Sequence, residues 1–200
     1  FSTVYVAING DESAYVNGYT QPMKLAAYEG HWEGAENAAI VAFGLPNGDK
    51  KPGDDQAEFH FAVKIPGLLS FLTHREFGTY VPGINDLVYG NEKYGVEGVN
   101  SKIEKGKQAV ADFKEYKVAK KAGDEVAAES ALKSFNVNQK YLGYGYLEKA
   151  EDSVPPVNLT FYSFHIMVFL GVFFGLLFLM YLIFALKDNI DQKRWLLPIG

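Results

Sequence analysis

The 200 residues include no cysteine, which excludes disulfides, thiolate metal sites and cysteine nucleophiles together. Basic charge is also short: 19 Lys and Arg stand against 24 Asp and Glu, a net of −5, with a pI near 5.4. With no positive excess to displace counterions from phosphate, nucleic acid is excluded as the main partner. The four histidines, His31, His60, His74 and His165, include no pair three or four residues apart, so no helical zinc pair is present. The chain also lacks a Walker loop and a GxSxG elbow.

The most consequential absence is local. From Ser153 to Leu186, a run of 34 residues, there is no Asp, Glu, Lys or Arg. The near-neutral mean hydropathy of −0.08 is therefore an average of two unlike parts. At about 1.5 Å per residue, a helix of this length exceeds the roughly 30 Å hydrocarbon core of a bilayer. The apolar centre predicts a membrane span over Phe161 to Leu186, with Ser153 to Thr160 as its approach. Pro155-Pro156 suits that approach, because proline is tolerated ahead of a helix but not inside it.

Orientation follows from the flanks. Lys187, Lys193 and Arg194 follow the span, whereas Glu148, Lys149, Glu151 and Asp152 precede it. The positive-inside rule places residues 187–200 in the cytoplasm, leading to a further helix, and residues 10–152 outside. Phe1 to Asp152 carries 16 basic and 22 acidic residues, a net of −6. The opening FSTVYVAI has no methionine and no basic n-region, so it does not read as a signal peptide. Residues 1–9 read either as a strand or as the last turns of an earlier membrane helix. Together with the apolar WLLPIG at the other end, they give the expectation of a piece of a longer protein.

Within the acidic region, Gln21 to Trp32 reads as a short helix with Thr20 or Gln21 as cap and Pro22 in its first turn. Ala39 to Leu45 and Ala57 to Ile65 flank the polar NGDKKPGDDQ. Phe59, Phe61, Val63 and Ile65 alternate with Glu58, His60 and Lys64 in the second, a hairpin signal. Gly67 to Thr73 reads as a short helix and GTYVPGIND as a loop. Ser101 to Lys121 and Asp124 to Phe135 read as two helices joined at Ala122-Gly123. Ile103, Val110 and Phe113 lie on one side of the first, and its lysines form a solvated face. The expected fold class is a mainly α membrane protein: an extracytoplasmic helical region with a small β-hairpin, followed by one transmembrane helix.

Two groups of residues bear on chemistry. Gly10-Asp11-Glu12-Ser13 follows an apolar segment, and Lys24 and Glu29 sit on the short helix. Five residues on a helix turn about 140°, so Lys24 and Glu29 form no i,i+4 ion pair. They either approach a pocket from its rim or point different ways. His31, between Glu29 and Glu33, reads as polar surface. The second group, His165 and Met167, lies in the first turns of the span, where polar groups are costly and functional by default. A methionine there is either packing or an axial heme ligand.

These segments resemble subunit I of cytochrome bd quinol oxidases. The likeness is carried by GDESAY (Gly10 to Tyr15), KLAAYEGHWE (Lys24 to Glu33), LGYGYLEK (Leu142 to Lys149), FHIMVFLG (Phe164 to Gly171) and QKRWLL (Gln192 to Leu197). Glu36 to Asn138 matches more loosely. The resemblance implies that residues 1–9 end one membrane helix, that 10–152 form the periplasmic, quinol-binding Q-loop, and that 153–186 form the next helix. It implies catalytic roles for Lys24 and Glu29 in quinol oxidation. It implies Met167 as an axial ligand of a low-spin heme b, with the opposing histidine outside these residues and further hemes elsewhere in the complex. His165 stands where the family often has an arginine beside that heme; a histidine stabilises the reduced heme as that arginine does only while protonated. Implied partners are membrane quinol, the lipid bilayer, the rest of subunit I and a second oxidase subunit, in a bacterial inner membrane. The competing reading is a single-pass membrane protein with an acidic extracellular interaction domain and no activity.

Overall fold

The structure is a computed structural model that describes residues 2–187. QKRWLL and the rest of residues 188–200 of the expected cytoplasmic segment lie outside the described residues. The order is α1 (Ser2–Thr20), α2 (Pro22–Glu29), β1 (Ile40–Pro46), β2 (Phe59–Ile65), α3 (Leu68–His74), α4 (Ile84–Tyr89), α5 (Val99–Ala122), α6 (Glu125–Asn138) and α7 (Val157–Leu186). Short 3-10 turns occupy Glu92–Tyr94, Gln139–Tyr146 and Ala150–Ser153. The architecture is mainly helical with one two-stranded antiparallel sheet, as the sequence predicts.

Helix α1 runs unbroken through Gly10 and joins residues 2–9 to GDESAY, so the opening segment is helix and not strand. Arg75 fastens α3 to it: Nη1 lies 2.7 Å from Asp11 Oδ1 and Nη2 lies 3.8 Å from Glu12 Oε2. Both acids are solvent-exposed, so this link orients more than it stabilises.

Helix α2 starts on Pro22 and ends three residues earlier than predicted. Gly30 adopts φ 61° and its N–H turns back to the Ala26 and Ala27 carbonyls, which terminates the helix. Ala26 and Ala27 are fully buried and, with Trp32, join a core with Ile84, Leu87, Val88, Val99, Ile103 and Val157. Leu25 and Tyr28 join a second core with Ala38, Leu69 and Val81. The eight-residue helix is thus wedged between two apolar clusters, and burial rather than propensity holds it.

The hairpin pairs Phe43 with Val63 and Leu45 with Phe61, with register shifts between Val41 and Phe43 and between Leu45 and Pro46. Ser70 of α3 ties down the segment leading into β1, accepting from Ala38 N at 2.8 Å and donating to Thr79 O at 2.7 Å. The predicted loop GTYVPGIND instead contains the start of α4. Asp86, three residues into that helix, accepts from Gly83 N at 3.0 Å and from the Tyr80 hydroxyl at 2.6 Å, which caps the first turn.

Helices α5 and α6 meet at Gly123, which takes φ 76°, and Asp124 caps α6 by accepting from Ala127 N at 3.0 Å. The buried line on α5 runs Ile103, Gly106, Ala109, Asp112 and Ala119, displaced from the expected Ile103, Val110, Phe113 side. The cause is close approach: a Cβ at Gly106 would collide with the backbone of Tyr141 and Gly145. Most of the α5 lysines face solvent as expected, apart from the half-buried Lys102 and Lys105.

Helix α7 begins at Val157 on Pro156, four residues ahead of the predicted span, so half of the expected approach is helical. Its 30 residues amount to about 45 Å. Among the described residues it is the one helix long and apolar enough to cross a membrane. Val157, Phe161, Phe164 and His165 form the stripe turned toward the loop, and most of the remaining surface is exposed.

Candidate functional site

Glu29 is the last residue of α2 and only 4% exposed. Its Oε2 is buried with no hydrogen-bond partner among the described residues. Burial pushes its carboxyl up to about 8, because the charged form loses hydration that nothing replaces. A buried carboxyl with an open oxygen costs stability, and such groups concentrate where protons are handled.

Lys24 lies on the outward side of the same helix, exposed and without a hydrogen-bond or ion-pair partner among the described residues. The 140° separation therefore resolves into two directions, Lys24 outward and Glu29 inward. His31 is not polar surface: it is half-buried, its Nε2 is 3.1 Å from the Val81 carbonyl, and burial lowers its pKa.

The inner end of α2 is seated on α7. Tyr28 stacks on Phe164 with centroids 4.2 Å apart, and Phe161, 1% exposed, packs beside Gly30. A Cβ at Gly30 would stand 2.6 Å from Phe59 Cζ and 3.4 Å from Phe161 Cδ2. Glycine is thus required there both for its positive φ and for this approach.

His165 and Met167 are two residues apart, about 200° around the helix, and the structure does not bring them together. The His165 ring lies on Phe161 at 3.9 Å, with Nε2 2.7 Å from the Val41 carbonyl and Nδ1 2.9 Å from the Phe161 carbonyl. Met167 is 61% exposed, which leaves its thioether accessible from outside α7. An accessible thioether on an apolar helix fits an axial ligand of low-spin heme. Among the described residues no cluster of three His, Asp or Glu could hold a metal ion.

A shallow cavity of about 320 Å³ opens where the loop meets the start of α7, lined by residues including Trp32, Lys50, Lys51, Pro156 and Asn158. Neither Lys24 nor Glu29 lines it. Sequence reasoning missed Tyr28, Gly30, Phe161 and the Val41 carbonyl. Only Gly30, directly after an apolar helix, carried a local signal.

The family model for cytochrome bd terminal oxidase subunit I matches residues 1–200. The chain belongs to the cytochrome bd terminal oxidase subunit I family. It is 30% identical over 211 residues to the cytochrome bd-II ubiquinol oxidase subunit 1 of Escherichia coli K12, covering 96% of this chain and 37% of that one. Against a putative cytochrome bd menaquinol oxidase subunit I of Bacillus subtilis it is 39% identical over 83 residues, 42% of this chain and 17% of the relative. The bd oxidase structure from Geobacillus thermodenitrificans aligns with 20% identity and a TM-score of 0.36, over 94% of this chain and 46% of that one. The chain thus spans about a third of the length of the first of these relatives.

Proposed function

We propose that this chain is the electron-entry part of a bd-type quinol:oxygen oxidoreductase in a bacterial inner membrane. Relatives in the family are named for ubiquinol in one case and menaquinol in another, which supports a membrane quinol as the substrate class. The single observation that carries the site is the buried Glu29 carboxyl with an open oxygen, on a helix packed against the one that bears Met167.

Residues 10–152 form the extracytoplasmic Q-loop, and quinol docks between it and the outer end of α7. Lys24, exposed on the outward side of α2, meets a quinol oxygen from the rim of the site and donates a hydrogen bond that stabilises developing quinolate, while Glu29 faces the buried side. Glu29 accepts a hydroxyl proton and passes it outward, a general-base role. With its pKa near 8, Glu29 is mostly protonated at neutral pH and must release that proton before it accepts another. Each quinol gives up two protons and two electrons to become quinone.

Met167 would hold a low-spin heme b together with a histidine from outside these residues. When bound, that group supplies one-electron redox capacity. The rest of subunit I and the second oxidase subunit would hold the further hemes, which would supply the capacity to reduce oxygen to water. In the full complex, Lys24→Ala and Glu29→Ala should impair quinol oxidation while sparing artificial donors that bypass the site. Equal loss with both kinds of donor contradicts the assignment.

A further inference from the structure

His165 stands at the joint between three elements. Its Nε2 lies 2.7 Å from the carbonyl of Val41, 124 residues away on β1; a carbonyl only accepts and a neutral ring carries one N–H, so this is a hydrogen bond in the tautomer protonated on Nε2, the one the shorter contact favours. The shorter of its two contacts is therefore the long-range one, whereas Nδ1 faces a carbonyl of its own helix at 2.9 Å. Val41 is 3% exposed and sits at a register shift in the hairpin, where the ladder is irregular.

The packing continues toward Glu29. The His165 ring lies at 3.9 Å from that of Phe161, and Phe161 meets Phe59 of β2 at 5.5 Å. Phe59 and Phe161 both close on Gly30, which caps the helix ending at Glu29. Hairpin, quinol-site helix and α7 thus share one contact set, and the His165–Val41 bond is its polar tie. The acceptor is backbone, so no substitution at Val41 short of a backbone change removes it. The tie depends on residue 165 alone.

We infer that His165 is a positioning residue, a latch that holds the hairpin against α7 and so fixes Glu29 relative to the helix carrying Met167. This is a mechanical role, separate from any field His165 exerts on a heme. Its kinetic consequence rests on the quinol reading given above; its structural consequence does not.

The test uses the full oxidase complex with His165→Phe, which keeps the ring on Phe161 but removes the donor, and His165→Gln, which restores a donor. Loss of one buried hydrogen bond should speed amide exchange in residues 40–46, 59–65 and 22–29 on the order of tenfold in the Phe variant. The Gln variant should recover most of the protection. The Phe variant should also raise KM for quinol more than it lowers kcat. Unchanged exchange overturns the latch. Faster exchange with an unmoved KM overturns the link to quinol binding. Failure of the quinol reading shows separately, as Glu29→Gln that leaves quinol oxidation intact.

Discussion

Tyr28 stacks on Phe164 with ring centroids 4.2 Å apart and planes at 29°, joining the helix that ends in Glu29 to the helix that carries Met167. Aromatic pairs of this kind contribute about 1 kcal/mol beyond the area they bury. Tyr28→Ala and Phe164→Ala should each lower the thermal stability of the complex. The double variant should lose less than the sum, by about 1 kcal/mol. Strict additivity in a thermal melt would show that the two rings do not cooperate.

Gly30 tolerates no side chain. Alanine there meets an unfavourable φ of 61° and places its Cβ 2.6 Å from Phe59. Gly30→Ala should cost about 1–3 kcal/mol and weaken quinol binding by displacing the end of α2. A variant with native melting behaviour and native KM would contradict the close packing.

Glu29 links stability to pH. Its carboxyl is raised from 4.5 to about 8 by burial, so the folded state favours the protonated form. The associated stability is fully present below 4.5, falls as pH rises, and is lost above about 8. The shift corresponds to an amount on the order of 5 kcal/mol. Glu29→Gln cannot ionise and should flatten this dependence. Thermal inactivation of the two proteins at acid and alkaline pH measures it, and parallel curves would contradict the burial of a neutralised carboxyl.

Met167→Leu separates ligation from packing. The side chain is 61% exposed on α7, so a volume-conserving change should cost less than about 1.5 kcal/mol. The low-spin heme absorption of the full complex should nonetheless disappear. An unchanged spectrum would reject Met167 as a ligand.

Much of the scaffold was legible in the sequence, and the reasons differ by element. Phe59, Phe61, Val63 and Ile65 alternate, and the strand they predict runs to Ile65 as expected. The charge-free run after Asp152 gives α7, although helical geometry starts already at Val157, because Pro156 initiates rather than delays it. Helix α4 was hidden by Pro82-Gly83, a pair that reads as loop until Asp86 is seen to cap the turn it starts. The α5 face was misplaced because large apolar residues signal a core, whereas Gly106 and Ala109 mark a backbone approach.

Of the site, the 140° between Lys24 and Glu29 showed that they diverge but not which one faces inward. That is decided by the two apolar clusters flanking α2, which are assembled from Ala38, Leu69, Ile84 and Val99, far along the chain. The Arg75–Asp11 and His165–Val41 contacts are likewise products of tertiary packing, with no local pattern to reveal them.

The most direct test of Glu29 as the proton acceptor is quinol-driven oxygen consumption by the full complex, followed across the pH range around 8 for the native protein and Glu29→Gln. The native rate should rise with pH through about 8, as the buried carboxyl ionises and becomes able to accept a proton. Glu29→Gln should lose on the order of a hundredfold in rate, together with that rising limb, while retaining oxygen consumption from artificial donors. A Glu29→Gln enzyme with the native rate and the native pH profile would contradict it.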